Sequence, residues 1–209
     1  MIPVSLQSCL SFALIVFLLL PNRRIPMRYR GPLLLVVLVI GIIPLPTGLS
    51  LAGYLRGLTD ELSITAMVWM LAGTALRLGW LQPGSSACSW QLCSVFAVLG
   101  VLLYPASMGV GMLDTYGWGY SPRMLIALIG MLALALLLLG NMLGVLILTL
   151  ATLAFTLGIK ASDNYWDYLI DPFVVFYSIG VLAANSIAAL LKWRRSQFAP
   201  APQLDEGLD

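Results

Sequence analysis

Seven apolar runs separated by short polar gaps divide this chain: residues 4–20, 32–45, 62–81, 88–110, 123–139, 142–159 and 172–191. A helix crosses a bilayer with about 20 predominantly apolar residues, so the pattern predicts an all-α fold: a polytopic transmembrane helix bundle of about seven spans. Residues 124–159 hold 36 consecutive uncharged positions. That is too long for one span, and Gly140-Asn141 at its centre favours a tight turn between two short spans; one long helix with Asn141 facing a neighbour is the alternative. The second run is interrupted by Pro44 and Pro46. Proline removes a helix hydrogen bond and clashes with the preceding turn. The run therefore reads either as a short span followed by an interfacial segment over 48–58, or as one kinked helix reaching Tyr54. Six spans plus a re-entrant or interfacial helix is the alternative count.

Three helix starts are marked in the sequence. Thr59 precedes Asp60 and Glu61, an expected cap followed by two acids where the helix dipole favours negative charge. Ser121-Pro122 and Asp171-Pro172 each read as a cap with proline at the first helical position. The stretch 1–20 lacks the basic leading segment and small-residue cleavage pattern of a signal peptide, and is expected to remain as the first span. Residues 1–195 are read as one transmembrane domain and 196–209, rich in Pro and Ala, as a disordered cytoplasmic tail.

The composition fits this picture: of 209 residues, 60% are hydrophobic and 10% charged, against about 25% charged in a soluble domain. The net charge of +2, without a dense basic face, argues against nucleic-acid binding. Cys9, Cys88 and Cys93 show no disulfide or metal spacing; Cys88 and Cys93 read as small buried helix residues. The sequence contains no histidine, which removes the commonest metal ligand and general base. No metal or cofactor is expected.

The charges sort by gap. Arg23, Arg24, Arg28 and Arg30 follow the first run, and Lys192, Arg194 and Arg195 follow the last. The other side carries Asp60 and Glu61, then Asp114, then Asp163, Asp167 and Asp171, with one basic residue per gap: Arg56, Arg123 and Lys160. Arg77 is placed near the inner end of its span, where it can snorkel. Cytoplasmic loops collect Lys and Arg, so the expected topology is an outside N-terminus and a cytoplasmic C-terminus in a bacterial inner membrane.

The outer segments combine carboxylates, aromatics and single cations, a set suited to sugars or lipid headgroups. Arg56, Asp60, Glu61, Asp114, Arg123, Lys160, Asp163 and Asp167 are the candidate outer-face polar site. Asp171 reads as a helix cap; Asp167, between Trp166 and Tyr168, has no such local role and is the leading candidate carboxylate. On one continuous helix Asp163, Asp167 and Asp171 would share a face, although Pro172 argues for a break. Trp118, Tyr120, Tyr165 and Tyr168 read as an interfacial aromatic belt. Asn141 and Asn185 are expected to hydrogen-bond between helices, and Gly41, Gly73, Gly100, Gly130, Gly144 and Gly180 to permit close helix packing. Ionisable residues are nearly absent from the spans, which argues against a proton relay or charged filter.

The resulting functional expectation is a non-enzymatic accessory or assembly subunit of a cell-envelope polysaccharide or lipid system, with the bilayer and a membrane protein as partners. One alternative is an outer-leaflet enzyme acting on lipid-linked phosphate or sugar through Asp60, Glu61, Asp114 or Asp167. The other is a transporter of small solutes or lipids.

Overall fold

The computed structural model describes residues 4–21, 25–82, 90–109 and 114–197. Among these the chain is all-helical: α1 (Val4–Leu19), α2 (Met27–Ile42), α3 (Leu51–Thr59), α4 (Ile64–Leu78), α5 (Trp90–Ser107), a 3-10 turn (Gly117–Gly119), α6 (Arg123–Leu138), α7 (Met142–Thr156), α8 (Trp166–Leu169) and α9 (Pro172–Gln197). Among the described residues β pairing is limited to an isolated bridge between Pro44 and Ser50. Arg23, Arg24, Cys88 and positions 198–209 lie outside the described residues. Ser196 and Gln197, read from sequence as the start of the tail, belong to α9.

Hydrogen bonds between helix ends fix an alternating up-and-down arrangement. At one end, Gln7 at the start of α1 donates to the Leu62 carbonyl, and Ser63 ahead of α4 bonds Asp171 ahead of α9. At the other end Arg77, in the last turn of α4, donates to the Phe17 and Leu20 carbonyls at the close of α1. Arg30 of α2 donates in turn to the Arg77 carbonyl. Arg77 thus satisfies orphan carbonyls at a helix C-terminus. This is a specific role where the sequence suggested only snorkelling.

The turn read at Gly140-Asn141 separates α6 from α7, with Gly140 at φ 72°. Asn141 caps α7 by accepting from the Gly144 amide, and its Nδ2 donates to Gln91 of α5. One residue therefore serves both as turn cap and as helix-helix link. The second apolar run resolves as a short helix and a separate α3; the kinked continuous helix does not form, because α2 ends at Ile42 before Pro44.

The core gathers around α4, α5 and α7, with Leu92, Phe96, Ile147, Leu148 and Ala151 fully buried. Glycine permits close approach at some of the predicted positions. A Cβ on Gly100 would collide with Val175 of α9, one on Gly41 with Phe12, and one on Gly144 with Leu136. Gly130 and Gly180 meet nothing within 4 Å among the described residues, whose packing does not account for them. Gly100→Val is accordingly expected to lose about 1–3 kcal/mol by overpacking. Gly130→Val, into open space, is the matched control. Comparison of their unfolding in detergent checks the α5–α9 contact.

The outer surface of the bundle is apolar: Leu138 is 82% exposed, Phe176 72% and Met124 79%. Among the described residues two helices are long and apolar enough to cross a membrane, Trp90–Ser107 and Pro172–Arg194. Leu6–Leu19, Ile64–Leu78, Arg123–Leu138 and Met142–Thr156 are apolar but shorter. Every side chain from 183 to 194 of α9 is exposed. Asn185 is among them, and the expected helix-helix bond from Asn185 is not made among the described residues.

Candidate functional site at the loop end

The three polar gaps singled out in the sequence meet at the end of the bundle where α4, α6 and α9 begin. Lys160, after α7, is 8% exposed and directs its Nζ at three backbone carbonyls: Glu61 (3.0 Å), Leu62 (3.3 Å) and Asp167 (3.0 Å). An ammonium offers three donors and no acceptor, so three converging carbonyls match it. Burial pushes the Lys160 ammonium below its ordinary 10.5, while Asp167, Glu61, Asp171 and Asp60 draw it upward. Tyr168 lies beneath, its hydroxyl accepting from the Lys160 amide and donating to the Lys160 carbonyl. Burial raises the Tyr168 phenol above its usual range.

The same loop is tied to the segment after α5. Trp166 Nε1 donates to the Thr115 carbonyl at 2.8 Å, and the Tyr165 amide donates to the Gly119 carbonyl at 3.1 Å. Asn164 folds its own loop by accepting from the Trp166 amide and reaches the Tyr116 carbonyl through Nδ2. A Cβ on Gly119 would strike Asn164 and Trp166. Gly119→Ala is therefore expected to separate the two loops, read as faster amide hydrogen exchange at 114–120 and 160–168 with little change in α6. Tyr165, Trp166 and Tyr168 are buried. Tyr165 and Tyr168 are thus structural anchors and not belt residues; Trp118 and Tyr120, at 46% and 60% exposure, do face outward.

Asp171 is buried and caps α9, accepting from the Val174 amide at 2.9 Å. Its other oxygen accepts from both the amide (3.0 Å) and the hydroxyl (2.7 Å) of Ser63. Ser63 in turn caps α4 by accepting from the Ala66 amide. Thr65 adds a bond to the Leu169 carbonyl at 2.6 Å. The start of α4 is therefore Ser63 and not Thr59, which ends α3. Asp60 and Glu61 lie between the two helices, outside the first turn that the sequence assigned them. The Ser121-Pro122 start is also altered: α6 begins at Arg123 without a side-chain cap.

Asp163, Asp167 and Asp171 do not share a helical face, because the chain breaks on both sides of the four-residue α8. Asp167 is half-buried and accepts a short hydrogen bond from Ser162. Asp114 is exposed and closes its own turn by accepting from the Gly117 amide. Arg123 and Asp163 are exposed, with no hydrogen bond or ion pair among the described residues.

Arg56, Asp60 and Glu61 form a separate group beside α1. Arg56 pairs with Glu61 at 3.3 Å, the guanidinium side chain 40% exposed and the carboxylate side chain 18%. Asp60 has φ 54° and ψ −156°, a region essentially reserved for glycine, where a side chain costs on the order of 1–3 kcal/mol. With Gln7, Ser8 and Ser11 of α1 these residues line a small cleft. Among the described residues no group of three Asp, Glu or Cys side chains is arranged to hold a metal ion.

Ser63, Thr65 and Asn164 are site residues that the sequence does not mark, since a Ser, Thr or Asn gives no sequence signal distinguishing a buried tie from an exposed side chain; Trp166 reads equally well as an interfacial ring. Comparison with protein-family models, curated proteins and solved structures gave no match to this chain.

Proposed function

We propose that this chain is a multi-pass membrane protein that serves as a non-enzymatic accessory or assembly subunit of a bacterial cell-envelope polysaccharide or lipid system. In this reading α1, α2, α4, α5, α6, α7 and α9 cross the inner membrane. The loop end faces outward and the C-terminus is cytoplasmic. The apolar exterior, the alternating helix order and the two long apolar helices support the membrane setting. The grouping of Arg28, Arg30, Lys192 and Arg194 away from the acidic loops supports the orientation.

One observation carries the non-enzymatic reading. The buried polar groups of the loop end are consumed in holding it together: Lys160 by carbonyls, Asp171 by Ser63 and Val174, Asn164 by its own loop. Asp167, the leading sequence candidate, spends one carboxylate oxygen within its own loop, on Ser162. Among the described residues the buried polar side-chain atoms without partners are two hydroxyls on different helices, Thr74 and Ser178, which gives no support to a polar path for a transporter.

Purification of the tagged protein from its native membrane in mild detergent is expected to bring down a stoichiometric membrane partner. Alanine at Asp60, Asp114 or Asp167 is expected to leave the function of that complex intact. Recovery as a lone monodisperse species, with function abolished by any of those single changes, contradicts the proposal in favour of an enzyme.

A further inference from the structure

One stripe of α9 is covered along its first half and bare along its second. Asp171, Val174, Val175 and Ser178 are buried. At about 3.6 residues per turn the same stripe continues through Val181, Asn185, Ala189 and Lys192. Val181 is partly buried, and every residue from 183 to 194 is exposed. The covering element is α5. A Cβ on Gly100 of α5 would meet Val175, and the two helices run antiparallel, so Trp90, the first described residue of α5, is level with Asn185. The seam between α5 and α9 therefore carries on along α9 past the described end of its cover.

Asn185 gives that bare stretch a chemical demand. Pro172–Arg194 is the membrane-length part of α9, and Asn185 stands two residues from its middle, about 3 Å along the axis. The residue is exposed and makes no hydrogen bond among the described residues. Hydrocarbon supplies neither donor nor acceptor, and asparagine is too short to reach the interface as a lysine does. A side-chain amide carries two donors and two accepting lone pairs, so its natural complement is another amide. Copies of one chain insert with one orientation. A two-fold axis along the membrane normal then sets each residue opposite itself at the same depth, and position 185 meets position 185. Each Nδ2–H donates to the Oδ1 of the other copy. Ala189, one turn further, lets the two backbones approach. Lys192 closes the stripe at the inner edge, where its long side chain snorkels to water.

We infer that this chain forms a parallel two-fold dimer through the inner half of α9, with the Asn185 amides of the two copies paired near the bilayer centre. The inference rests on the proposed membrane setting of the bundle. It makes the second copy the continuation of the seam that α5 begins.

The test is energy transfer between differently labelled copies of the full-length protein in lipid vesicles, followed as the protein is diluted with lipid. The wild type is expected to show a dimer that dilutes apart. Asn185→Ala is expected to weaken it about five- to tenfold, the effect of hydrogen bonding between membrane helices. Its thermal midpoint should match that of the wild type, because the amide bonds nothing in its own bundle. In native membranes, on a background with Cys9, Cys88 and Cys93 replaced by alanine, Ala189→Cys is expected to form a disulfide between copies under copper–phenanthroline. Ala183→Cys and Ile187→Cys, on the opposite face, are not. A wild type that stays monomeric at the highest protein-to-lipid ratio, an Asn185→Ala dimer as tight as the wild type, or cross-linking at 183 and 187 as ready as at 189, would overturn the inference. So would a cross-link from 189 to a different membrane protein in place of the homodimer. Carbonate extraction is scored separately: release of the protein counts against the membrane reading, whereas retention with a monomeric wild type counts against the α9 pairing alone.

Discussion

Lys160→Met is expected to lower the thermal midpoint in detergent by roughly 6–12 °C, the equivalent of about 3 kcal/mol in a chain of this size. Methionine fills a similar volume, so the loss isolates the ammonium. Its removal strands the carbonyls of Glu61 and Asp167, which Lys160 now satisfies at 3.0 Å each, while the Leu62 carbonyl keeps its bond from Gln7. Each buried acceptor left without a donor costs about 1–3 kcal/mol, and partial access of water keeps the sum below the maximum. Lys160→Arg is expected to recover little of this, because a planar fork does not match three converging carbonyls. Asp167→Asn is expected to have a much smaller effect, since Lys160 bonds the Asp167 carbonyl and not its carboxylate. Tryptophan fluorescence during heating reads all three variants. A Lys160→Met protein as stable as wild type would show that this lysine does not hold the loop end together.

Asp171→Ala is expected to destabilise by a similar amount and to disturb two helices at once. It removes the α9 cap, about 1 kcal/mol, and leaves the Ser63 amide and hydroxyl without their buried acceptor. Hydrogen bonds to a charged group contribute about 1.5–3 kcal/mol, so the total is again about 3 kcal/mol. Ser63→Ala should cost less alone and much less in the Asp171→Ala background, because the two changes remove the same bond. Strict additivity in that double-mutant cycle would mean that Asp171 acts only as a cap.

The helical class, the Gly140-Asn141 turn and the Asp171 cap were legible because each rests on local chemistry: apolar run length, a left-handed glycine, a carboxylate ahead of proline. The Thr59 start was misplaced for an identifiable reason. Thr59 with Asp60 and Glu61 satisfies the local cap pattern, but Ser63 lies closer to the buried Asp171 and gains a bond across the bundle. Tertiary context also decided the aromatics: Trp118 and Tyr165 look alike in sequence, yet one is 46% exposed and the other is fully buried behind Thr152. The candidate charges were legible as a group on one set of gaps. Their division was not, because nothing in the local sequence shows that Lys160 turns inward to carbonyls while Arg56 remains at a cleft mouth.

Placement of the loop end on one side of a membrane is tested most directly by thiol labelling in intact cells. On a background with Cys9, Cys88 and Cys93 replaced by alanine, single cysteines at Asp114, Asp163 and Lys192 are exposed to a membrane-impermeant maleimide. Positions 114 and 163 are expected to label in intact cells, and 192 only after permeabilisation. Labelling of 114 and 163 from opposite sides, or of 192 together with them, would contradict the account.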